Sequence, residues 1–446
     1  MLRLKKFLKA AVTIAAAVTL AACGASASPA PQQPAAQEPA APAEKTKIEV
    51  WSWWGSEARL PVITHIIDYF NEHSETVEAE YVYTPFGEIF TKNLANIAAG
   101  TPADVMFNNM SDVAYRASAG QTENLSPLMD RDSYTADQYQ ETYMRGLEYE
   151  GGYYGLPFII ETRIIYFNKE HFRAIGLDTE DASVFPKTWD ELTGLAYKLD
   201  VKNGSAFDRV GFLPLFGNGG WYLWLTNADS GKGFWDPGTG DVTIDTPNKL
   251  EAVKRIMAMH DHYGDTVVDE MMAATSQGMQ NPFGSGAISM VAHNPTFARE
   301  LGTDFPDLEW GTFLVPEFNE GTGHWSNGDG FVVEIPKGAK NIDASWEFVK
   351  YMTSAYAQKY WSTKCFELSA LKELANDPEL IGDKVYSIAL QAAATTDAGF
   401  MPNELNGWRD YLNPNLDEVK LRTLPPDDAL KKAQSDVEAL KARQTQ

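Results

Sequence analysis

The strongest constraint on the fold is an alternation of short apolar strands with amphipathic helices that begins near residue 48. Residues 48–51 (IEVW) predict a short buried strand, and residues 60–73 carry the apolar spacing of a helix with Pro61 near its start. A strand over 77–84, a helix that closes on Gly100 and a third strand, ADVMF, follow. Strand, helix, strand, helix, strand is typical of an α/β sheet whose strands are mostly parallel.

The alternation starts again near Phe158, which indicates a second α/β unit. The segment YGLPFIIETRIIYFN predicts strands, TWDELTGLAYKL predicts a helix capped by Thr188, and VGFLPL predicts another strand. The segments AISMV and GFVVEIP predict later strands, and the last third of the chain predicts mainly helices. A body of roughly 400 residues exceeds what one ordinary core organises, so we expect two domains.

The first 22 residues predict a secretory signal. Basic residues precede an apolar run from Phe7 to Ala22, which is short of the roughly 20 residues that a membrane-spanning helix needs. The run ends in LAACG, which resembles the bacterial lipobox, in which the cysteine is lipidated and begins the mature chain. We therefore expect lipidation at Cys23. A buried cysteine in an ordinary cleavable signal is the alternative.

Residues 23–45 predict an extended tether. They are rich in Pro and Ala and poor in bulky apolar side chains, a composition that cannot bury a core. With lipid on Cys23, the folded body would hang from a membrane surface outside the cytoplasm. The expected location is the cell envelope.

The chain is strongly acidic, with 61 Asp and Glu against 37 Lys and Arg and a net charge of −24. Nucleic acid and bare phosphate are therefore poor partners. The second cysteine, Cys365, has no partner in the chain once Cys23 carries lipid, so we expect no structural disulfide. Cys365 is expected to be a small buried apolar residue.

Six segments, in order, resemble the extracellular solute-binding proteins of ABC importers, in the branch that includes maltose and other sugar-binding lipoproteins. The segment AAGTPADVMF is similar to that family's Pro-Asp-Val strand, with Ala103 where proline usually stands. The resemblance extends over nearly all of residues 46–440. The other matching segments are GGYYGLPF with IIYFNKEHFRAIGL, FPKTWDEL, FGSGAISM, ASWEFVKYMTS and LPPDDALKKAQSDVEAL.

The resemblance implies an α/β, two-lobed periplasmic-binding-protein-like fold. Each lobe would be a mostly parallel sheet flanked by helices, and the chain would cross the hinge between them more than once. We expect crossings around residues 158–163, 291–297 and 354–363. The expected lobes are residues 46–157 with 298–353 for the N-terminal lobe and residues 158–297 with 354–446 for the C-terminal lobe.

The same resemblance implies a binding protein rather than an enzyme. It would capture a mono- or oligosaccharide between the lobes and deliver it to membrane permease subunits that a separate ATPase drives. No cofactor or metal is implied, and we expect a monomer. Within this class, a polyamine would suit an acidic cleft, and a phosphorylated polyol would require Arg or Lys in it; both remain alternatives to a sugar.

Sugar recognition needs flat aromatic faces that stack on the ring, with charged or amide groups that bond to its hydroxyls. Ligands of open parallel sheets lie beyond the carboxyl ends of the strands. Trp54 and Glu57 follow the first strand there, and Asn108, Asn109 and Asp112 follow ADVMF. Ser111 is an alternative to Asp112, and Trp53 is left undecided between core and cleft.

The family comparison implies further ligand-binding residues. By position these are Glu161, Trp221, Asn294, Trp325, Asp329, Trp408 and Arg409. The segment AHNPTF puts His293 and Asn294 where the maltose branch has Gly-Pro-Trp, so the preferred sugar is expected to differ from a maltodextrin. Arg163 either contacts ligand or pairs with Glu161. The other tryptophans in framework segments, expected to be packing residues, are Trp51, Trp189, Trp346 and Trp361.

Two other classes of function are weaker. A glycoside hydrolase needs two carboxylates about 5 to 9 Å apart, and acidic residues are too plentiful for sequence to exclude such a pair. No nucleophile elbow, His-Glu-x-x-His or phosphate loop is present in the sequence, however. For a metal site, His260 and His262 are two residues apart, which on a helix directs them to different faces, so we expect an exposed helix end there.

Overall fold

A computed structural model describes residues 44–204, 206–274, 281–402 and 405–444. The expected signal at 1–22, the lipidation site Cys23 and nearly all of the tether lie outside the described residues. In the ranges that are described, no helix combines the length and apolar character needed to cross a lipid bilayer.

The strands of the described ranges alternate with helices as the sequence predicts. They are β1 (Thr46–Ser52), β2 (Val77–Tyr83), β3 (Val105–Asn109), β4 (Glu148–Tyr149), β5 (Gly152–Tyr153), β6 (Leu156–Ile160), β7 (Ile164–Asn168), β8 (Val201–Asn203), β9 (Ala206–Gly217), β10 (Ile288–His293), β11 (Trp310–Phe313), β12 (Ser326–Asn327), β13 (Gly330–Glu334), β14 (Leu368–Ser369) and β15 (Thr396–Asp397).

The α-helices pack on both faces of the sheets. They are α1 (Leu60–His73), α2 (Phe86–Ala99), α3 (Val113–Ser118), α4 (Ser126–Asp132), α5 (Glu141–Met144), α6 (Lys169–Ala174), α7 (Trp189–Leu199), α8 (Gly220–Ala228), α9 (Pro247–Tyr263), α10 (Asp265–Ala273), α11 (Phe297–Asp304), α12 (Ile342–Met352), α13 (Ala355–Cys365), α14 (Pro378–Ile381), α15 (Lys384–Ala393), α16 (Arg409–Lys420) and α17 (Pro426–Gln444).

Local sequence explains where individual helices begin and end. Helix α1 begins with Pro61 in its first turn and buries the apolar side of its spacing, including Ile63 and Phe70. Helix α2 ends at Gly100, whose positive φ of 74° suits glycine. The Thr188 hydroxyl accepts a hydrogen bond from the Glu191 amide, which confirms the predicted cap of α7.

Two mixed sheets organise the fold, in the orders β14-β6-β13-β3-β1-β2 and β11-β7-β10-β9-β8. In the first, β1 is parallel to β2 and β3, whereas β13 is antiparallel to β3 and β6. In the second, β10 is parallel to β9 but antiparallel to β7. The two-lobed α/β fold is confirmed, but the prediction of mostly parallel sheets is wrong. Strands β3 and β6 run toward the crossing between the sheets, and β13 runs away from it.

Each sheet has its own hydrophobic core, and we call the two units the first lobe (six-stranded sheet) and the second lobe (five-stranded sheet). The first core contains Trp54, Trp346 and Trp361, and the second contains Trp189 and Trp224. Trp51 is buried in a smaller cluster beside the first sheet. The predicted packing roles of the four framework tryptophans are therefore confirmed. Cys365 is free and buried in the first core, also as predicted.

Among the described residues, the chain crosses between the sheets three times, and the three crossing segments are joined by hydrogen bonds. The Glu161 amide donates to the Asp329 carbonyl over 2.9 Å, and the Ser326 amide donates to the Thr395 carbonyl over 2.8 Å. The hydroxyls of Thr162 and Thr396 are 2.7 Å apart. Strands β12 and β15 pair in parallel as part of this arrangement, which we call the hinge.

The expected lobe boundaries do not coincide with sheet membership. The first crossing, at 160–164, lies where it was expected. Strand β11 pairs with β7 in the second sheet, although residues 298–353 were assigned to the N-terminal lobe. Strand β14 pairs with β6 in the first sheet, and the α13 residue Trp361 belongs to the first core, although residues 354–446 were assigned to the other lobe. The later crossings therefore lie between Phe313 and Gly330 and between Ser369 and Met401, which packs against the second core.

Replacing Trp54 by alanine tests its place in the core. The indole is 1% exposed and lies 4.4 Å from the Trp361 ring and 4.6 Å from the Phe107 ring, by centroids. The cavity left by Trp54→Ala is expected to lower the free energy of unfolding by about 3–5 kcal/mol in urea denaturation. The exposed neighbour Glu57 supplies the control, since Glu57→Ala is expected to stay within about 0.5 kcal/mol of wild type. Similar stabilities for the two variants would contradict a core role for Trp54.

Candidate ligand-binding cleft

Two adjoining cavities lie between the lobes, a large cavity of about 690 Å³ and a small cavity of about 440 Å³. The large cavity is lined by Ala114 and Gly146 of the first lobe and by Tyr222 and Trp235 of the second. A set of lining residues is common to both cavities and makes them one continuous cleft. These residues are Ser111, Gly399, Met401, Pro402, Trp408 and Arg409.

Most aromatic rings of the large cavity are already in contact with a protein group. The Trp408 ring is 4% exposed and lies 4.7 Å from the Phe234 ring. The Arg409 guanidinium lies 5.0 Å from the Trp408 centroid and 5.6 Å from that of Tyr222. The Lys441 ammonium lies 5.8 Å from the Trp235 ring. These contacts fix the wall and leave little free aromatic face at Trp408.

Phe400, which lies against Gly146, and Trp325 are the two exceptions among the rings of this wall, and Trp325 has the larger ring. Within the described ranges its indole has neither a ring nor a cation stacked on it, and it is partly exposed to the large cavity. One side of the indole lies against Gly231, where a Cβ atom would overlap the ring. Gly231 also has a φ of 79°, which glycine adopts without strain. Gly323 lies close to Nε1 and Cδ1 of the same indole, so the part of the ring that borders the large cavity is the part available for stacking.

The small cavity has a polar floor held by a buried ion pair. Arg116 pairs with Glu334, and Arg116 also donates to the Asn109 carbonyl over 2.7 Å. The Asn108 amide donates to Glu334 over 3.0 Å, whereas its own Oδ1 is buried with no hydrogen bond from any described residue. Burial raises the pKa of Glu334, against the opposing effect of Arg116. Asp112 lies on the same floor, so the cavity offers both donors and acceptors.

Asp329 acts on the cleft through Ser111. Its two carboxylate oxygens accept from the Ser111 amide at 3.0 Å and the Ser111 hydroxyl at 2.7 Å, and the Gly330 amide donates to the same group. Ser111 lines both cavities. Removal of water from the carboxylate raises the pKa of Asp329 to about 7, with a smaller contribution in the same direction from Asp112. Asp329 is therefore a positioning residue in this structure.

Glu161 and Asn294 meet at the hinge rather than on the cavity walls. Glu161 accepts from Arg163 at 3.3 Å and from the Asn294 amide at 3.2 Å. The alternative in which Arg163 pairs with Glu161 is thus the one present. His293 stacks on Phe297 at 4.1 Å, and burial lowers the pKa of His293 to about 3, which keeps the ring neutral.

The cleft therefore gathers only part of the residue set predicted from sequence. Three predicted positions lie elsewhere: Trp54 is in the first core, Glu57 is exposed, and Trp221 packs against the second core. Asn109 contributes its carbonyl to Arg116 and does not line either cavity. The predicted residues that do line them are Asn108, Asp112, Trp325, Trp408 and Arg409.

Sequence reasoning missed several residues of the cleft. Tyr222, Trp235, Phe400 and Asp397 line the large cavity, and no motif marks them. Trp53, which the sequence left undecided, is half-buried against Phe331 with its centroid 5.0 Å away.

No cluster of three metal-ligating side chains occurs in the part of the chain that the structure describes. His260 bonds to Asp265 and His262 bonds to Asp200, each over 2.9 Å. His260 is buried, so the expectation of an exposed helix end is wrong at that residue. The hydrogen bond to Asp265 fixes the His260 ring near the end of α9.

Two α/β lobes around an aromatic and polar cleft, joined by three hydrogen-bonded crossings, define a two-lobed binding protein. A sequence model of one family, described as bacterial extracellular solute-binding protein, matches residues 54–359, well over half of the chain. The chain belongs to this family.

The chain is also similar to individual relatives, and its fold is similar to that of a solved structure. The arabinooligosaccharide-binding protein of Halalkalibacterium halodurans is 20% identical over 339 residues, which are 71% of this chain and 72% of that protein. A maltooligosaccharide ABC transporter solute-binding lipoprotein of Streptococcus pneumoniae is 23% identical over 318 residues, 68% of each chain. The structure of CpMnBP1 with mannotriose bound has a TM-score of 0.77 at 21% identity and covers 88% of this chain and 100% of its own.

The Asp329→Asn variant tests the raised pKa of Asp329. Between pH 4 and 7 the folded Asp329 carboxyl holds a proton that the unfolded one, near its ordinary pKa of 3.8, has lost, so wild type loses stability as pH rises through this range. Asp329→Asn does not titrate. Its stability relative to wild type, measured by urea unfolding, is expected to be greater at pH 8 than at pH 5. A stability difference that is the same at both pH values would contradict the shift.

Proposed function

We propose that this protein is the substrate-binding component of an ABC importer and captures a mono- or oligosaccharide in the cleft. Trp325 carries the proposal, because its indole, on which no described ring or cation stacks, borders a cavity whose other walls supply amide, carboxylate and guanidinium groups. Apolar ring faces with a few polar groups suit the CH face and the hydroxyls of a sugar. The continuous cleft leaves room for more than one sugar unit. The sugars in the names of the similar proteins support the same ligand class.

The hinge supports a mechanism of closure. We propose that the first lobe comprises residues 46–160 and 330–393 and that the second comprises the described residues of 164–325 and 398–444, with the three crossings between them. A ligand that touches both lobes favours the closed arrangement by its extra contacts there. The closed form would then dock on the permease subunits, which a separate ATPase drives, as a monomer and without catalysis of its own.

The proposed location follows from family and sequence together. The family is extracellular, and we propose that lipid on Cys23 anchors the chain through the tether at 23–45. The lipoprotein named among the relatives supports this anchor. A polyamine or a phosphorylated polyol remains the alternative ligand, and a secreted glycoside hydrolase the weaker alternative function.

A ligand panel tests the proposed function directly. Mannotriose, maltotriose and arabinotriose would be compared with spermidine and sorbitol 6-phosphate by calorimetry and thermal shift. At least one sugar is expected to raise the melting temperature and to reduce the radius of gyration in small-angle scattering. Binding of spermidine or the polyol phosphate alone would replace the sugar assignment. Release of product from a bound oligosaccharide would contradict the absence of catalysis.

Removing the Trp325 ring tests the stacking face. Trp325→Ala is expected to weaken the sugar that binds best by about 10- to 100-fold, the loss of roughly 1.4–2.8 kcal/mol that a buried aromatic contact supplies. Trp310→Ala is the matched control, since Trp310 is also a half-buried indole of the second lobe but lies on β11, away from the cleft. Calorimetry of both variants decides the point. Equal affinities in Trp325→Ala and Trp310→Ala would exclude stacking on Trp325.

The anchor is tested in cells. Replacing Cys23 by alanine removes the sulfur that would carry lipid, so the protein is expected to move from the membrane fraction to the soluble extracytoplasmic fraction. Incorporation of labelled palmitate measures the lipid itself. Labelling that persists in Cys23→Ala would contradict lipidation at this residue.

A further inference from the structure

Asp397 is an aspartate of the hinge strand β15 whose carboxylate borders the large cavity. Its Oδ1 accepts a hydrogen bond from the Gly399 amide over 3.1 Å. Its Oδ2 accepts no hydrogen bond from any of the described residues. One oxygen is therefore fixed by the backbone, and the other remains a free acceptor at the cavity wall.

The backbone of the second lobe comes unusually close to this free oxygen. A Cβ atom on Gly233 would lie 2.7 Å from Oδ2, so only glycine leaves the oxygen its place. Gly231, two residues earlier, lies against the Trp325 ring in the same way. Strands β12 and β15 pair at Ser326 and Thr396, one residue beyond Trp325 and one before Asp397. Trp325 and Asp397 are thus neighbours on one wall.

The charge of Asp397 is only partly balanced. Lys249 is fully buried nearby, but its ammonium donates to Asp229 over 2.7 Å and is shared between two carboxylates. Lys232 is exposed to solvent. The Asp236 carboxylate accepts from the Gly238 amide, 2.8 Å away, in a turn. Arg409, the remaining charged group of the cavity wall, is stacked on Tyr222 and Trp408.

Burial raises the pKa of Asp397 above its ordinary value, and Lys249 opposes the shift. A partly desolvated carboxylate with one unused oxygen gains most from a hydrogen-bond donor on a ligand, because charge-assisted hydrogen bonds are roughly twice as strong as neutral ones. Sequence motifs do not mark this residue.

We propose that Asp397 is a specificity-determining residue of the cleft, whose Oδ2 accepts a hydrogen bond from a hydroxyl of the sugar unit that stacks on Trp325. This inference rests on the proposed sugar-binding function. It assigns the ligand's orientation: one face of the sugar unit lies on the indole, and a hydroxyl at its edge points to the hinge. A sugar without a donor at that edge would leave the carboxylate unpaired.

Asp397→Asn tests the assignment with little change in shape. The Gly399 amide requires an acceptor, so the new amide places its oxygen there and its NH2 at the former Oδ2 position. Affinity for mannotriose, maltotriose and arabinotriose is measured by calorimetry. The best of these is expected to bind the variant about 10- to 100-fold more weakly. Asp181→Asn is the matched control, because the Asp181 carboxylate also serves a turn of the second lobe, accepting from the Ser183 amide over 2.9 Å, but lines neither cavity; it is expected to bind within about threefold of wild type.

The pH dependence of sugar affinity, measured for wild type and for Asp397→Asn, supplies a second readout. Affinity is expected to fall as pH is lowered and the Asp397 carboxylate gains a proton, and the ratio of wild-type to Asp397→Asn affinity is expected to fall with it. Asp329 titrates in both proteins and cancels from that ratio. Equal sugar binding by wild type and Asp397→Asn, or a ratio that does not change with pH, would overturn the role of Asp397 and leave the sugar-binding function standing. Failure of all three sugars to bind wild type would overturn both.

Discussion

The hydrogen bonds among the three crossing segments hold the rest of the structure in register. The carbonyl of Asp329 accepts from Glu161, and the carbonyl of Asp397 accepts from Gly328, so each crossing is tied to another by its backbone. Gly328 is required at this point because a Cβ atom there would overlap the Glu161 carbonyl oxygen. The two glycines of the segment HWSNGDG therefore allow close approach between crossing segments, since a Cβ atom on Gly330 would likewise lie 2.6 Å from the Ile159 carbonyl oxygen.

This backbone arrangement also places the side chains that matter for the cleft. Trp325 precedes the hinge strand β12, and Asp397 ends the hinge strand β15. Asp329 lies two residues after β12 and accepts a hydrogen bond from Ser111. A change in the hinge angle would move these groups together, because they belong to the segments that bend. In the proposed closure, ligand binding and movement of the lobes would therefore depend on the same few residues.

Sequence predicted the architecture well because apolar periodicity reports burial. The strand and helix alternation, the second α/β unit, the Thr188 cap and the buried Trp346 all follow from local pattern. The sheet directions did not, because antiparallel pairing of β13 with β3 depends on where the chain crosses between lobes, and no local signal marks the second and third crossings.

The cleft was harder to predict because its residues come from distant segments. Trp54 stands directly after a strand, as a cleft residue would, but the chain turns it inward against Phe107 and Trp361. Asn108 and Asp112 were predicted at the cleft because they lie near the end of a recognisable strand or just after it. Asp397 and Trp235 were missed, since only the folded chain brings β15 to the loop at Gly231 and Gly233.

That glycine loop also bears on how such a protein can change its ligand in evolution. At Gly231 and Gly233 even an alanine would collide with Trp325 or Asp397, so this side of the cleft is set by main chain and admits no gradual enlargement of side chains. Phe400 is restricted in the same way by Gly146, whereas the Tyr222 and Trp235 side is not set by glycines. If Trp325 and Asp397 bind sugar as proposed, new preferences would therefore arise by substitution on the Tyr222 and Trp235 side, while the indole and its neighbouring carboxylate stay constant.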